Sequence, residues 1–233
     1  MKLGIIGAMD VEVATLKDAM ENKVEKTFAG SVYCEGTLEK LPVVIVQCGI
    51  GKVNAAMCAQ VLCDCFGVTH IVNTGIAGSL NAKLDIGDFV ISNEAVYHDF
   101  DVTALGYTVG QVPGLDVRAF PADKMLTELA YNVADGVCPG HVQIGTVASG
   151  DQFVCSKEQK QAIVANTGGL CTEMEGAAIA HTAWKNGVPY VVIRAISDKA
   201  DDSAEMDYPT FEAIAAKRCA EVTRAMAKAL LQN

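Results

Sequence analysis

Arginine is scarce in this chain: among 233 residues only Arg118, Arg194, Arg218 and Arg224 occur. Phosphate sites usually spend arginines, because the guanidinium matches a phosphate edge with two hydrogen bonds. The scarcity therefore counts against phosphate-centred chemistry. The formal net charge of −10 points the same way, since an acidic surface repels nucleic-acid phosphates and anionic lipid heads. No nucleic-acid or membrane partner is expected. Runs approaching the ~20 apolar residues of a membrane helix are also missing. The short apolar stretch Leu3–Met9 ends in Asp10 and Glu12 rather than in a small-residue cleavage site, so a cytoplasmic chain is expected. No internal repeat, low-complexity tract or long linker interrupts the sequence, and one domain over residues 1–233 follows.

Nine cysteines are present, an odd number with irregular spacing. Cys63 and Cys65 form the one close pair, and no histidine stands near them at zinc-ligand spacing. They read as reduced thiols serving as small core residues, and no metal site is expected.

What is present is an alternation of apolar strand-length runs with longer amphipathic segments. Strands are predicted at Lys2–Ala8, Val32–Leu38, Val43–Cys48, His70–Thr74, Asp88–Tyr97, Val142–Ser149 and Val188–Ile196, with a turn at Glu39-Lys40-Leu41-Pro42. Helices are predicted from Asp10 to Asn22, Val53 to Phe66, Asp123 to Ala134, Ser156 to Ala165, Met174 to Lys185, and Asp207 to Leu231 with Pro209 in its first turn. Such alternation implies an α/β fold: a twisted mixed sheet flanked by helices, with functional groups at strand ends.

Four segments carry polar residues at such ends. Asp10 and Glu12 follow the first strand, where they could also simply favour the positive end of a helix. Asn73-Thr74-Gly75-Ile76-Ala77-Gly78-Ser79 permits close ligand approach, yet lacks the lysine–serine/threonine ending of a phosphate loop and is equally an ordinary strand-to-loop turn. Glu173 and Glu175 flank Met174 and would share one face of a strand, an arrangement that hints at function or marks an acidic helix start. Arg194 interrupts an apolar strand that ends in Ser197 and Asp198; a buried arginine needs a carboxylate partner, catalytic or structural.

Seven motifs then stand in order along the chain. They are Gly4-Ile5-Ile6-Gly7-Ala8-Met9 with Glu12, Gly49-Ile50-Gly51-Lys52-Val53, Asn73-Thr74-Gly75, Tyr97-His98-Asp99 with Asp101-Val102-Thr103-Ala104, Ser149-Gly150-Asp151 with Phe153, Glu173-Met174-Glu175, and Arg194-Ala195-Ile196-Ser197-Asp198. Together they resemble the bacterial methylthioadenosine/S-adenosylhomocysteine nucleosidases, of the nucleoside phosphorylase/hydrolase superfamily. The resemblance implies a three-layer α/β/α sandwich with a central twisted mixed sheet. It also implies hydrolysis of an adenine nucleoside without metal or organic cofactor. By resemblance, Asp198, oriented by Ser197, protonates N7 of the leaving adenine. Glu175 and the Met174 backbone hold the ribose, and Glu12, with Arg194 nearby, activates the water. Phe153 stacks on adenine, whose edge the Val154 backbone reads, while Met9, Ile50 and Val102 line a pocket for the 5′ thioether. Tyr208 stands on a closing loop where the family often has phenylalanine. Tyr107 and Pro113 reach a partner's site, implying a homodimer. Two further departures are Ile76, in place of a common serine beside the water, and Leu105, in place of a common phenylalanine. The competing expectations are a phosphorylase of the same fold, a nucleosidase for aminodeoxyfutalosine, and a non-catalytic nucleoside-binding relative.

Overall fold

Apolar side chains that alternate between two faces of a sheet require cover on both. In the first strand, β1 (Leu3–Gly7), Leu3 and Ile5 face one core while Ile6 faces another. A computed structural model describes residues 1–201 and 204–231, with Glu205 and Met206 as backbone alone. After β1 come α1 (Asp10–Asp18), β2 (Glu21–Phe28), β3 (Ser31–Leu38), β4 (Leu41–Gln47), α2 (Lys52–Phe66), β5 (His70–Ser79) and β6 (Phe89–Tyr97). A 3-10 turn (Thr103–Leu105), β7 (Phe120–Pro121), α3 (Lys124–Val137), β8 (Val142–Ser149) and α4 (Lys157–Thr167) follow. The chain closes with β9 (Cys171–Glu173), α5 (Gly176–Asn186), β10 (Tyr190–Asp198) and α6 (Ala204–Leu230).

The strands form one mixed sheet in the order β2-β3-β4-β1-β5, and β5 then pairs with both β10 and β9. Since β10 pairs β6, β6 pairs β8 and β8 pairs β9, the far half of the sheet closes into a ring. One face packs on α2 and α5 through Ala55, Ala59, Leu62 and Ala180. The other packs on α1, α3 and α6 through Leu16, Leu126, Ala216 and Met226. The result is the expected α/β/α layering, with β1, β5 and β10 buried along almost their whole length as doubly covered strands must be.

Several boundaries differ from expectation. The first helix ends at Asp18 rather than Asn22, and the highly charged segment Glu21–Phe28 is a strand instead. As an edge strand it buries no face, so it carries no hydrophobic period; its pairing with β3 through a tight turn at Ala29–Gly30, both at positive φ, decides its conformation. The predicted turn is confined to Glu39–Lys40, with Leu41 already in β4. β5 runs five residues past Thr74, because its small residues pair with β10 rather than turning away. α5 begins at Gly176 rather than Met174. α6 begins at Ala204, which places Pro209 one turn inside the helix rather than in its first turn. All nine cysteines are free; Cys34, Cys48, Cys58, Cys171 and Cys219 are buried, while Cys65 is exposed.

Candidate active site

Four elements bring acidic groups to one cavity of about 490 Å³. Glu12 is the third residue of α1. Its carboxylate turns back to accept hydrogen bonds from the N–H groups of Ala8 (2.7 Å), Met9 (2.9 Å) and, across the sheet, Ile76 (3.1 Å). The bland reading of a helix-start carboxylate is thus realised, yet the same group lines the cavity. Those three bonds use three of its four lone pairs, leaving one on Oε1. Burial raises its pKa, opposed by the Arg194 charge and these backbone donors.

The glycines of β5 make room for these carboxyls. A Cβ on Gly75 would lie 2.4 Å from Glu12 Oε1, and one on Gly78 would lie 2.7 Å from Asp198 Oδ1. Asp198 closes β10 and is buried; its oxygens accept from Ala200 N (2.8 Å) and Ser197 Oγ (2.9 Å). Burial raises its pKa against those two hydrogen bonds.

Glu175 is the N-cap residue of α5 and not a strand residue, so it does not share a strand face with Glu173. Its Oε1 accepts from Gly51 N at 2.8 Å. Burial, and then the neighbouring Glu173 charge, push its proton affinity upward. Glu173, at the end of β9, accepts from Ser149 Oγ, from the N–H groups of Glu175 (3.1 Å) and Gly176 (2.8 Å), and from Arg194 Nη2. Arg194 is 2% exposed. Its other bonds run to Asn73 Oδ1 (2.6 Å) and the Ile193 carbonyl (3.1 Å), so it acts on Glu12 and Glu175 by charge alone among the described residues. Burial opposes the arginine's charge, and the three glutamates outweigh it and raise its pKa.

Of the residues singled out in the sequence, Met9, Glu12, Ile50, Ile76, Phe153, Val154, Met174, Glu175, Ser197, Asp198 and Tyr208 line the cavity. Phe153 and Tyr208 meet edge to face at 5.6 Å between ring centres, and the Tyr208 hydroxyl lies 3.3 Å from Met9 Sδ and 3.2 Å from Glu212 Oε1. Arg194 stands behind the wall rather than in it. Val102, Tyr107 and Pro113 lie on the segment between β6 and β7 and line no part of it. Residues to which the sequence assigned no role also line the cavity. Glu173, singled out only for its place beside Glu175, is the principal one, and its signal was legible: Arg194 required a carboxylate from a neighbouring strand end. Thr172, whose buried hydroxyl has no partner among the described residues, carried no such signal. No lysine or arginine is among the described lining residues.

A family profile described as the phosphorylase superfamily matches residues 2–228. The chain is 42% identical to the 5'-methylthioadenosine/S-adenosylhomocysteine nucleosidase of Geobacillus thermodenitrificans over 97% of this chain and 96% of that protein. Among solved structures, it is similar to the 5'-methylthioadenosine/S-adenosylhomocysteine nucleosidase of Neisseria meningitidis in complex with methylthio-immucillin-A. The TM-score is 0.94 at 38% identity, over 98% of this chain and 99% of that one. The native futalosine hydrolase of Helicobacter pylori superposes with a TM-score of 0.93 at 33% identity, covering 98% of both chains.

Proposed function

The chain belongs to the phosphorylase superfamily, among its 5'-methylthioadenosine/S-adenosylhomocysteine nucleosidases, and from that premise we propose that it hydrolyses the N-glycosidic bond of these two nucleosides. The products are adenine and the 5-thio-ribose; 5'-deoxyadenosine, which shares adenine and ribose, is a further substrate. The observation that carries hydrolysis over phosphorolysis is the cavity wall, which among the described residues presents four carboxyl groups and no lysine or arginine. Phosphate attack needs cations or free backbone amides around the anion. Here the one nearby guanidinium is committed to Glu173 and Asn73.

In this reading burial raises the proton affinity of Asp198, and its carboxyl group delivers a proton to adenine N7, which turns a poor leaving group into a neutral base. Cleavage leaves an oxocarbenium-like ribose, whose hydroxyls Glu175 and the Met174 backbone hold. Glu12 receives the proton of the attacking water on its remaining lone pair, beside the Arg194 charge. Ile76 serves here through its backbone N–H, so the hydroxyl of a serine is not needed to hold Glu12. Phe153 stacks on the base, Val154 reads its edge, and Met9, Ile50 and Tyr208 surround the 5′ thioether. Proton transfer and water suffice, and the proposal includes no cofactor.

The protein acts as one domain and as a homodimer in which Tyr107 and Pro113, with Val102 on the same segment, complete the partner's site. Their position outside their own chain's cavity supports this, as do the exposed apolar side chains Ile50, Val53, Met57 and Leu105. A cytoplasmic role in methionine salvage is consistent with such a substrate; among the described residues no helix is long and apolar enough to cross a membrane. The test is adenine release from methylthioadenosine in phosphate-free buffer. Full turnover is expected. Strict dependence on added phosphate, with a sugar phosphate as product, would overturn the proposal.

A further inference from the structure

Three of the seven sequence motifs supply few or no groups to the cavity chemistry, yet they converge outside it. Lys52, from the first, is the opening residue of α2; its ammonium lies 2.6 and 2.7 Å from the two oxygens of Asp99, just after β6, and 3.7 Å from Asp151, just after β8. The backbone closes the triangle: Asp151 N donates to Asp99 Oδ2 at 2.8 Å, and Lys52 N donates to Asp151 Oδ1 at 2.8 Å. The lysine and Asp99 side chains are only 22% and 13% exposed, so the pair is far less hydrated than a surface ion pair. Burial alone would raise the Asp99 carboxyl, but the lysine and the Asp151 N–H hold it below the usual range.

Two arms of this triangle end in the cavity. Gly51, next to Lys52, supplies the one N–H that reaches the Glu175 carboxyl among the described residues. Asp151 leads directly into Gln152, Phe153 and Val154, three consecutive wall residues. We propose that Lys52, Asp99 and Asp151 are positioning residues: a clasp of three loops that sets the Gly51 N–H against Glu175 and the Phe153 ring over the base. The clasp touches no substrate atom; it acts on ground-state binding through the groups it places.

The inference rests on the proposed reaction for its kinetic arm only. The variant Lys52→Met removes the charge and the Asp99 bonds. It is expected to raise KM for methylthioadenosine about tenfold or more, the size of one charge-assisted hydrogen bond, with kcat changed far less. Lys52→Arg, which keeps charge and donors, is expected to retain most of the affinity, and Asp99→Asn to behave like Lys52→Met. The pH profile supplies a readout that general loosening would not move. Glu175 faces Glu173 from β9, Arg194 from β10, Glu12 from α1 and Cys48 after β4. The Gly51 hydrogen bond lowers its proton affinity, so losing that bond shifts the pH dependence of KM to higher pH.

Hydrogen exchange tests the clasp without turnover: the Gly51 amide and those of residues 150–154 should exchange faster in Lys52→Met, while β5 keeps its protection. If Lys52→Met fails to fold, Asp99→Asn carries both arms. Unchanged exchange, or KM and pH profile within twofold of wild type, would overturn the clasp. A wild type that cleaves no adenine nucleoside would instead sink the proposed function and leave exchange to decide the clasp.

Discussion

Replacing Asp198 by asparagine separates its chemical role from its structural one. The side chain accepts from Ala200 N and from Ser197 Oγ, which also lies 3.4 Å from the Ala77 carbonyl. Asparagine can keep its oxygen on Ala200 N while the serine hydroxyl rotates to donate to Ala77 and accept from the new amide. The fold is therefore retained, and the lost function is proton donation. General acid catalysis contributes on the order of 10²–10⁴-fold, so kcat should fall by that factor, about 3–5 kcal/mol of barrier. Stability should move the other way. The folded pKa of Asp198 lies above its unfolded value of about 3.9, so its ionisation disfavours the native state. The wild type loses stability as pH rises from the unfolded value through the folded one, and the asparagine variant does not. Single-turnover adenine release measured against pH, with thermal melts at acid and neutral pH, reads both effects. A variant retaining more than about a tenth of kcat would refute the assignment of the acid. A stability difference that fails to widen toward neutral pH would refute the reasoning from burial.

Two further perturbations probe what lies behind the cavity wall. Arg194→Met leaves Glu173 buried without its cation and should destabilise the fold by about 3–5 kcal/mol, a Tm loss of roughly 6–20 °C at this chain length. Adding Glu173→Gln should recover part of that loss in a double-mutant cycle, and strict additivity would show that the two do not act as a pair. Gly75→Ala puts a methyl group 2.4 Å from Glu12 Oε1, so kcat should drop sharply while overpacking costs about 1–3 kcal/mol of stability. Wild-type kinetics in that variant would mean that the position of Glu12 is unimportant.

Much of this was legible before any coordinates. The nearly continuous apolar run Val188–Ile196 announces a doubly covered strand, and every residue from Tyr190 onward is buried. The β2 edge strand was illegible for the converse reason: a strand with no buried face leaves no period to read. The Asn73–Ser79 stretch read as a turn because glycines usually mark turns. In the fold those glycines are strand residues kept small so that Glu12 and Asp198 can approach. Arg194 announced that a buried carboxylate must face it, but not which one.

The alternation of strand and helix determined a mixed sheet flanked by helices, since that depends on residue type and spacing alone, and the seven motifs in order carried the kind of chemistry through the family they resemble. Tertiary structure decided the division of labour among the acids. It gave Glu173 the arginine and a near-complete set of donors, and left Glu12, Glu175 and Asp198 buried with fewer among the described residues. Residues with the same side-chain chemistry take different partners, because the donors around each come from strands and loops far apart in the chain.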